Sequence, residues 1–342
     1  MNKPSTSGLV FAVLASLAFG TSGALIKPLL EAGWSPAAAV TARALTAGLI
    51  LLPLALVALR GTWSALWRGR WRVLAMGTLG VAATQVTYFA ALARIPVSTA
   101  LLIEFLAPLL LVGFAWAVTR HVPKPIVLIG SVLALGGLLL VIGPGAIQAV
   151  DPIGLAFAFG ASIGCAVYFV LAARPSDGLP AVALAGFGLL LGGVLLGVLG
   201  VVGVLPFTAT FGDLPLFGAA APWWVPLVLV AVISTAFAYA AGITAGGRLG
   251  SRVASFVGLL EVVFATLFAW VLLGEEIGLL QLLGGLLILG GIAAVRAEKV
   301  EPEAAIAGAV PDVAVPHGAA PDGAAPDLAP ARPEDDAVAA SA

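Results

Sequence analysis

The chain has 342 residues, 61% hydrophobic and only 10% charged, with a formal net charge of −1 and a mean hydropathy of +1.13. Soluble domains average about a quarter charged residues, so the composition excludes a water-soluble globular fold. Long, almost charge-free runs exclude a β-barrel, whose strands alternate apolar and polar residues, and a single cysteine, Cys165, excludes an intrachain disulfide or a cysteine-rich metal site.

Ten apolar runs are long enough to cross a hydrocarbon core of roughly 30 Å. They cover about 8–27, 36–59, 71–93, 98–118 and 125–143, then 152–172, 180–203, 223–246, 252–273 and 279–296. The breaks carry residues that stop or start helices, such as Gly33 to Pro36, Pro96, Pro123 to Pro125, Asp151-Pro152 and Pro175. The longest connection, 204–222, is rich in Phe and Pro and is expected at the headgroup interface. The first run lacks a small-residue cleavage site and reads as a retained helix.

Lysine and arginine set the orientation, because short cytoplasmic loops carry the excess. With residues 1–7 inside, Arg60, Arg68, Arg70, Arg72, Arg120, Lys124, Arg174, Arg248, Arg252, Arg296 and Lys299 all face the cytoplasm, and only Lys27 and Arg94 lie near the other side. Residues 297–342 change to Ala, Pro, Asp and Glu. Such a segment buries too little surface to offset its ordering entropy, and it reads as a disordered cytoplasmic tail.

The stretch Arg94–Leu140 recurs 154 residues later. Arg94 falls on Arg248, Phe114-Ala115-Trp116 on Phe268-Ala269-Trp270, Gly130 on Gly284, and Gly136-Gly137 on Gly290-Gly291. Leu-rich helices match cheaply; paired Arg, Trp and Gly do not. The repeat spans five helices, an odd number, so the second copy enters the membrane from the opposite side. The expected fold is an all-α membrane protein: two inverted five-helix repeats, 8–143 and 152–296. Secondary transporters are built this way, with a substrate site near the midplane between the halves.

Ionisable groups inside a bilayer cost about 2.5–3.5 kcal/mol each even on a lenient scale, and they usually face protein or water. Arg43, Glu104 and Glu261 qualify, with Lys27 marginal at the end of the first helix. Glu261 corresponds by the repeat to Ala107, three residues from Glu104, so each half directs a carboxylate from one helical face. Pro108 has no N–H to give the Glu104 carbonyl, which loosens the helix there. Desolvation and a nearby guanidinium act on such a carboxyl in opposite senses, so Glu104 is either a proton carrier or a fixed anchor for an ammonium. The plainer alternative is an Arg43–Glu104 pair that fixes helix packing. Gln85, Tyr88, Tyr168 and Tyr239 could line a small-ligand cavity; interhelical hydrogen bonding would explain them equally well. No phosphate-binding loop, histidine cluster or intramembrane catalytic set is present, so neither an enzyme nor a cofactor is expected. Nothing points to nucleic acid.

GTSGALIKPL (20–29), VTARALTAGLILLP (40–53), IEFLAPL (103–109), LLGEE (272–276) and QLLGGLLILGG (281–291) together resemble the EamA family of the drug/metabolite transporter superfamily. Residues 8–296 are covered, and the first half looks most like bacterial threonine and homoserine exporters. The family usually has Glu-Pro where this chain has Glu261-Val262. The resemblance implies an inner-membrane carrier exporting amino acids or similar metabolites, driven by proton exchange or by the substrate gradient alone. Arg43 would clamp a carboxylate, and Glu104 would hold an ammonium or carry a proton. Partners would be a small-molecule substrate and the lipid bilayer, a homodimer being one possible assembly. An uptake carrier or facilitator is the rival within transport, and a membrane scaffold or sensor acting through the tail is the rival outside it.

Reporter fusions after Arg72 and after Val300 should read cytoplasmic, and fusions near Asp151 and Asp213 external. A cytoplasmic signal at Asp213 would rule out oppositely oriented halves.

Overall fold

The structure is a computed structural model that describes residues 6–143, 151–175, 178–274 and 276–297. Ten helices are long and apolar enough to span a membrane: α1 Thr6–Glu31, α2 Pro36–Ala58, α3 Arg70–Leu92, α4 Val97–Thr119, α5 Pro125–Ile142, α6 Pro152–Ala173, α7 Ala181–Val201, α8 Trp224–Leu249, α9 Ser251–Leu273 and α10 Leu279–Ala297. Their ends fall within a few residues of the expected spans. The expected disordered tail lies outside the described residues, apart from Ala297.

Local chemistry explains several helix starts. Ser35 accepts from the Ala38 N–H at 3.3 Å and Asp151 from the Ile153 N–H at 3.0 Å, each followed by a proline whose missing N–H is harmless at a first helical position. The left-handed cap that ends α4 at Arg120 (φ 57°) is repeated at Gly274 (φ 70°), which ends α9.

The twofold relation of the halves is written into their contacts. A Cβ built on Gly137 would stand 2.5 Å from the Gly284 carbonyl oxygen, and one on Gly291 2.6 Å from that of Gly130. Each contact is the repeat image of the other, so α5 and α10 cross backbone to backbone about a pseudo-twofold axis. The pattern recurs between α2 and α7, where Gly48 meets Leu190 and Gly193 meets Leu45. It recurs again where Gly8 meets the Cβ of Arg248 and Gly154 that of Arg94, both at 2.9 Å. Lipid tails are as apolar as leucine, so helices in a membrane gain from close backbone approach rather than from hydrophobic burial.

The repeat offset is 145 residues for α2 and α7 (Gly48 to Gly193) and 154 from α3 onward (Gly130 to Gly284). The added length falls in the α7–α8 connection, which carries a feature the sequence reading missed. Strands β1 Asp213–Leu216 and β2 Ala219–Pro222 form an antiparallel hairpin. Its two-residue loop, Phe217-Gly218, has φ of 49° and 86°, as a type I′ turn requires. The connection packs over the start of α2: Trp34 donates its indole N–H to the Thr210 carbonyl at 2.7 Å and stacks on Trp223 at 5.8 Å.

Five of these helices are irregular. α1 breaks at Thr21, between Thr6–Gly20 and Ser22–Glu31. α4 breaks between Glu104 and Ala107, and α9 between Gly258 and Leu260. α3 and α8 each widen into a π-helical stretch, Met76–Ala83 and Val232–Phe237, at repeat-related positions. Threonine supports both: Thr84 donates to the Leu79 carbonyl and Thr235 to that of Val230, each five residues back. The break in α9 forms without a proline, since Val262 instead donates to the Leu259 carbonyl, three residues back, at 3.1 Å.

Gly137→Val should lower stability by about 1–3 kcal/mol through forced helix separation. Gly136→Ala, where a Cβ meets nothing within 4 Å, should be neutral. Thermal melting in detergent checks both.

Candidate functional site

A cavity of about 1020 Å³ opens among α1, α2, α3 and α4 of the first repeat and α6, α8 and α9 of the second. All eight residues singled out from the sequence line it: Lys27, Arg43, Gln85, Tyr88, Glu104, Tyr168, Tyr239 and Glu261.

The two carboxylates flank equivalent breaks. Glu104 is the last residue before the break in α4, and Glu261 the second residue after the break in α9. Residues 104 and 107 do not share an uninterrupted helix, yet each half still delivers its acid to the same chamber. Phe105 and Leu106 donate to Leu101 and Ile103, tightening the turn, and Pro108 leaves the Glu104 carbonyl without a helical donor.

Arg43 enters from α2 and donates from Nη1 to the Ser22 hydroxyl at 2.7 Å. It lies within electrostatic reach of Glu104, Glu261 and Tyr239. It forms no ion pair with either acid among the described residues, where the ion pair found joins Arg94 to Asp151 at 2.9 Å. The packing-pair alternative is thereby corrected: Ser22 holds the guanidinium, and the broken helices hold the acids elsewhere on the wall. Next to Ser22, the Thr21 hydroxyl bonds that of Ser234 at 2.7 Å, tying the break in α1 to the π-helical stretch of α8. Outside the membrane, the hydrogen bond from Arg94 holds the Asp151 carboxyl below the usual carboxylate range.

Aromatic groups form much of the remaining wall. Tyr239 packs edge-on against Phe19 at 5.4 Å and Tyr168 at 5.5 Å, geometry that ring quadrupoles favour. Tyr168 is only 8% exposed, and its hydroxyl has no hydrogen-bond partner among the described residues. Gly242 sits directly against that hydroxyl, where any Cβ would collide. A buried unpaired hydroxyl costs about 1–3 kcal/mol, which a ligand group bonding it would recover. The anchoring role of Ser22 was not read from the sequence. Its signal there was a hydroxyl within an apolar span, in the Gly20–Gly23 stretch where the structure breaks the helix.

The cavity is lopsided along the bundle. It extends to Lys27, Leu30, Pro36, Val97 and Leu273, all at helix ends on one side. Toward the other side Gly246 packs on Ala172, with a Cβ placed 2.7 Å away. The repeat images of that pair are Leu92 and Ile26, and both line the cavity instead.

Comparison with known proteins agrees with this architecture. The pattern of the EamA-like transporter family matches residues 6–143 and again 152–297. No curated protein matches the chain. Among solved structures, a crystal structure described only as that of a protein is 23% identical, with a TM-score of 0.65. It covers 84% of this chain and 97% of its own length, a likeness in fold.

Tyr168→Phe removes an unpaired hydroxyl, so the melting temperature should stay constant or rise, by up to about 1 kcal/mol in stability. A fall of that size would reveal a hydrogen bond to the hydroxyl.

Proposed function

The chain belongs to the EamA-like transporter family, and on that premise we propose that this membrane transporter exports small zwitterionic metabolites, with amino acids of the threonine and homoserine kind foremost. One observation carries the reading. A single chamber collects a guanidinium, Arg43, and two carboxylates, Glu104 and Glu261, that are not consumed by direct pairing with it. A zwitterion needs both poles. Its carboxylate suits the planar fork of Arg43, and its ammonium suits Glu104 or Glu261.

The unequal ends of the cavity support alternating access. With both termini cytoplasmic in the inner membrane, as the arginine bias argues, this conformation is open to the outside. Exchanging the conformations of the two repeats would separate α6 from α8 near Ala172 and Gly246 and bring Ile26 toward Leu92. A carboxyl protonated in one state and ionised in the other would couple that exchange to protons. The scaffold alternative gives the cavity's charged groups no task, and each would cost about 2.5–3.5 kcal/mol in a bilayer.

Glu104→Gln keeps shape and hydrogen bonding but removes titration. In reconstituted vesicles it should cut amino-acid flux tenfold or more, as expected for a lost charge-assisted bond. The pH dependence should flatten while the melting temperature holds. Wild-type flux with the wild-type pH profile would remove Glu104 from the pathway.

A further inference from the structure

At the end of the bundle where α1 begins, a second cavity of about 560 Å³ opens on the outer surface, within the range of small-molecule sites. Its walls are the short helix Trp63–Arg68, the first turns of α3 and the middle of α7. Phe187, Leu190, Leu191 and Val194 form the α7 side. At 1.5 Å per residue they carry the groove about 10 Å into the hydrocarbon. Trp63 and Trp67 stand 52% and 71% exposed at its mouth, where indoles mark the headgroup level of a membrane.

Arg70 lines this mouth. Its guanidinium lies over the Trp67 ring at 4.7 Å and the Trp71 ring at 5.5 Å, and Nη1 donates to the Trp67 carbonyl at 2.8 Å. That leaves most of its five N–H donors for an outside acceptor. Neighbouring arginines are committed elsewhere. Arg72 caps the end of α6 through the Leu171 and Pro175 carbonyls, and Arg68 donates to Ser64. Along the chain no acidic residue occurs between Glu31 and Glu104, so the segment that forms this mouth, residues 60–72, carries only positive charges.

We propose that this groove binds one anionic phospholipid, with an acyl chain along α7 and the phosphodiester on Arg70. An apolar channel entered beneath an indole-held guanidinium matches both parts of such a molecule, whereas a soluble anion would leave the apolar channel unfilled. Arginine suits the phosphate because its planar fork can present two parallel N–H donors.

Native mass spectrometry of the full chain, with defined lipids added to delipidated protein, tests the site. Both lipids carry the phosphodiester, but the choline cation of phosphatidylcholine is repelled by Arg70 and its neighbouring arginines, so phosphatidylglycerol should be retained roughly tenfold better than phosphatidylcholine of the same chains. Arg70→Gln should reduce that preference to within about twofold of none, on the same scale, and Arg60→Gln should keep it. Val194→Trp, at a 52% exposed position, should fill the groove and weaken retention of both lipids. Equal retention by the unmodified protein would overturn the proposal, as would a preference that survives Arg70→Gln. Equal losses from Arg60→Gln and Arg70→Gln would mean diffuse surface charge. A Val194→Trp variant without effect would refute the acyl channel, and displacement by inorganic phosphate alone would mean a plain anion site.

Discussion

The backbone crossing of α5 and α10 is the constraint on which the rest of the architecture depends. Gly130 and Gly137 approach Gly291 and Gly284 so closely that carbonyl oxygens occupy the space of the missing Cβ atoms. Membrane helices have little else to associate through, and these contacts map onto each other under the repeat. The same relation holds for Gly48 and Gly193 between α2 and α7, and for Gly8 and Gly154 against Arg248 and Arg94. Glycine is required at these positions because a neighbouring backbone or Cβ stands there. Gly136 and Gly290, also repeat mates, meet nothing within 4 Å and escape that demand.

Around this frame, irregularity is concentrated where the cavity lies. Three helices break and two widen into π-helical stretches, and such departures expose backbone groups that only a protein interior or a water-filled space can satisfy. The repeats share the breaks of α4 and α9 and the π-helical stretches of α3 and α8, whereas α1 breaks and its image α6 runs unbroken from Pro152 to Ala173. That difference gives the first half Thr21 and Ser22 as free side-chain anchors, one holding α8 and the other holding Arg43. The site is therefore asymmetric although its frame is symmetric.

Charge follows the same logic. A guanidinium and two carboxylates in a hydrocarbon layer are expensive, and a chamber of about 1020 Å³ supplies the space for water or substrate that makes them tolerable. Direct pairing would neutralise them more cheaply in structural terms. The protein instead spends the hydroxyl of Ser22 on Arg43 and leaves the acids to face the chamber.

Much of this was determined by the sequence alone. Hydropathy and helix-stopping residues located all ten spans, because in lipid every backbone group must be satisfied within its own helix, and so span length is a local property. Matched Arg, Trp and Gly positions revealed the inverted repeat, and the cost of buried charge singled out Arg43, Glu104 and Glu261. Tertiary structure decided what those residues touch. Only the folded chain shows that Arg43 is held by Ser22 rather than Glu104, that Tyr168 keeps an unpaired hydroxyl, that α9 breaks without proline, and that residues 213–222 form a hairpin. The first three depend on a partner in another element or on a backbone distortion set by packing, which leaves no periodic trace in the order of residues. The hairpin is local, but its Phe217-Gly218 turn lacks the Asn-Gly or Asp-Gly pair that marks such a turn in a sequence.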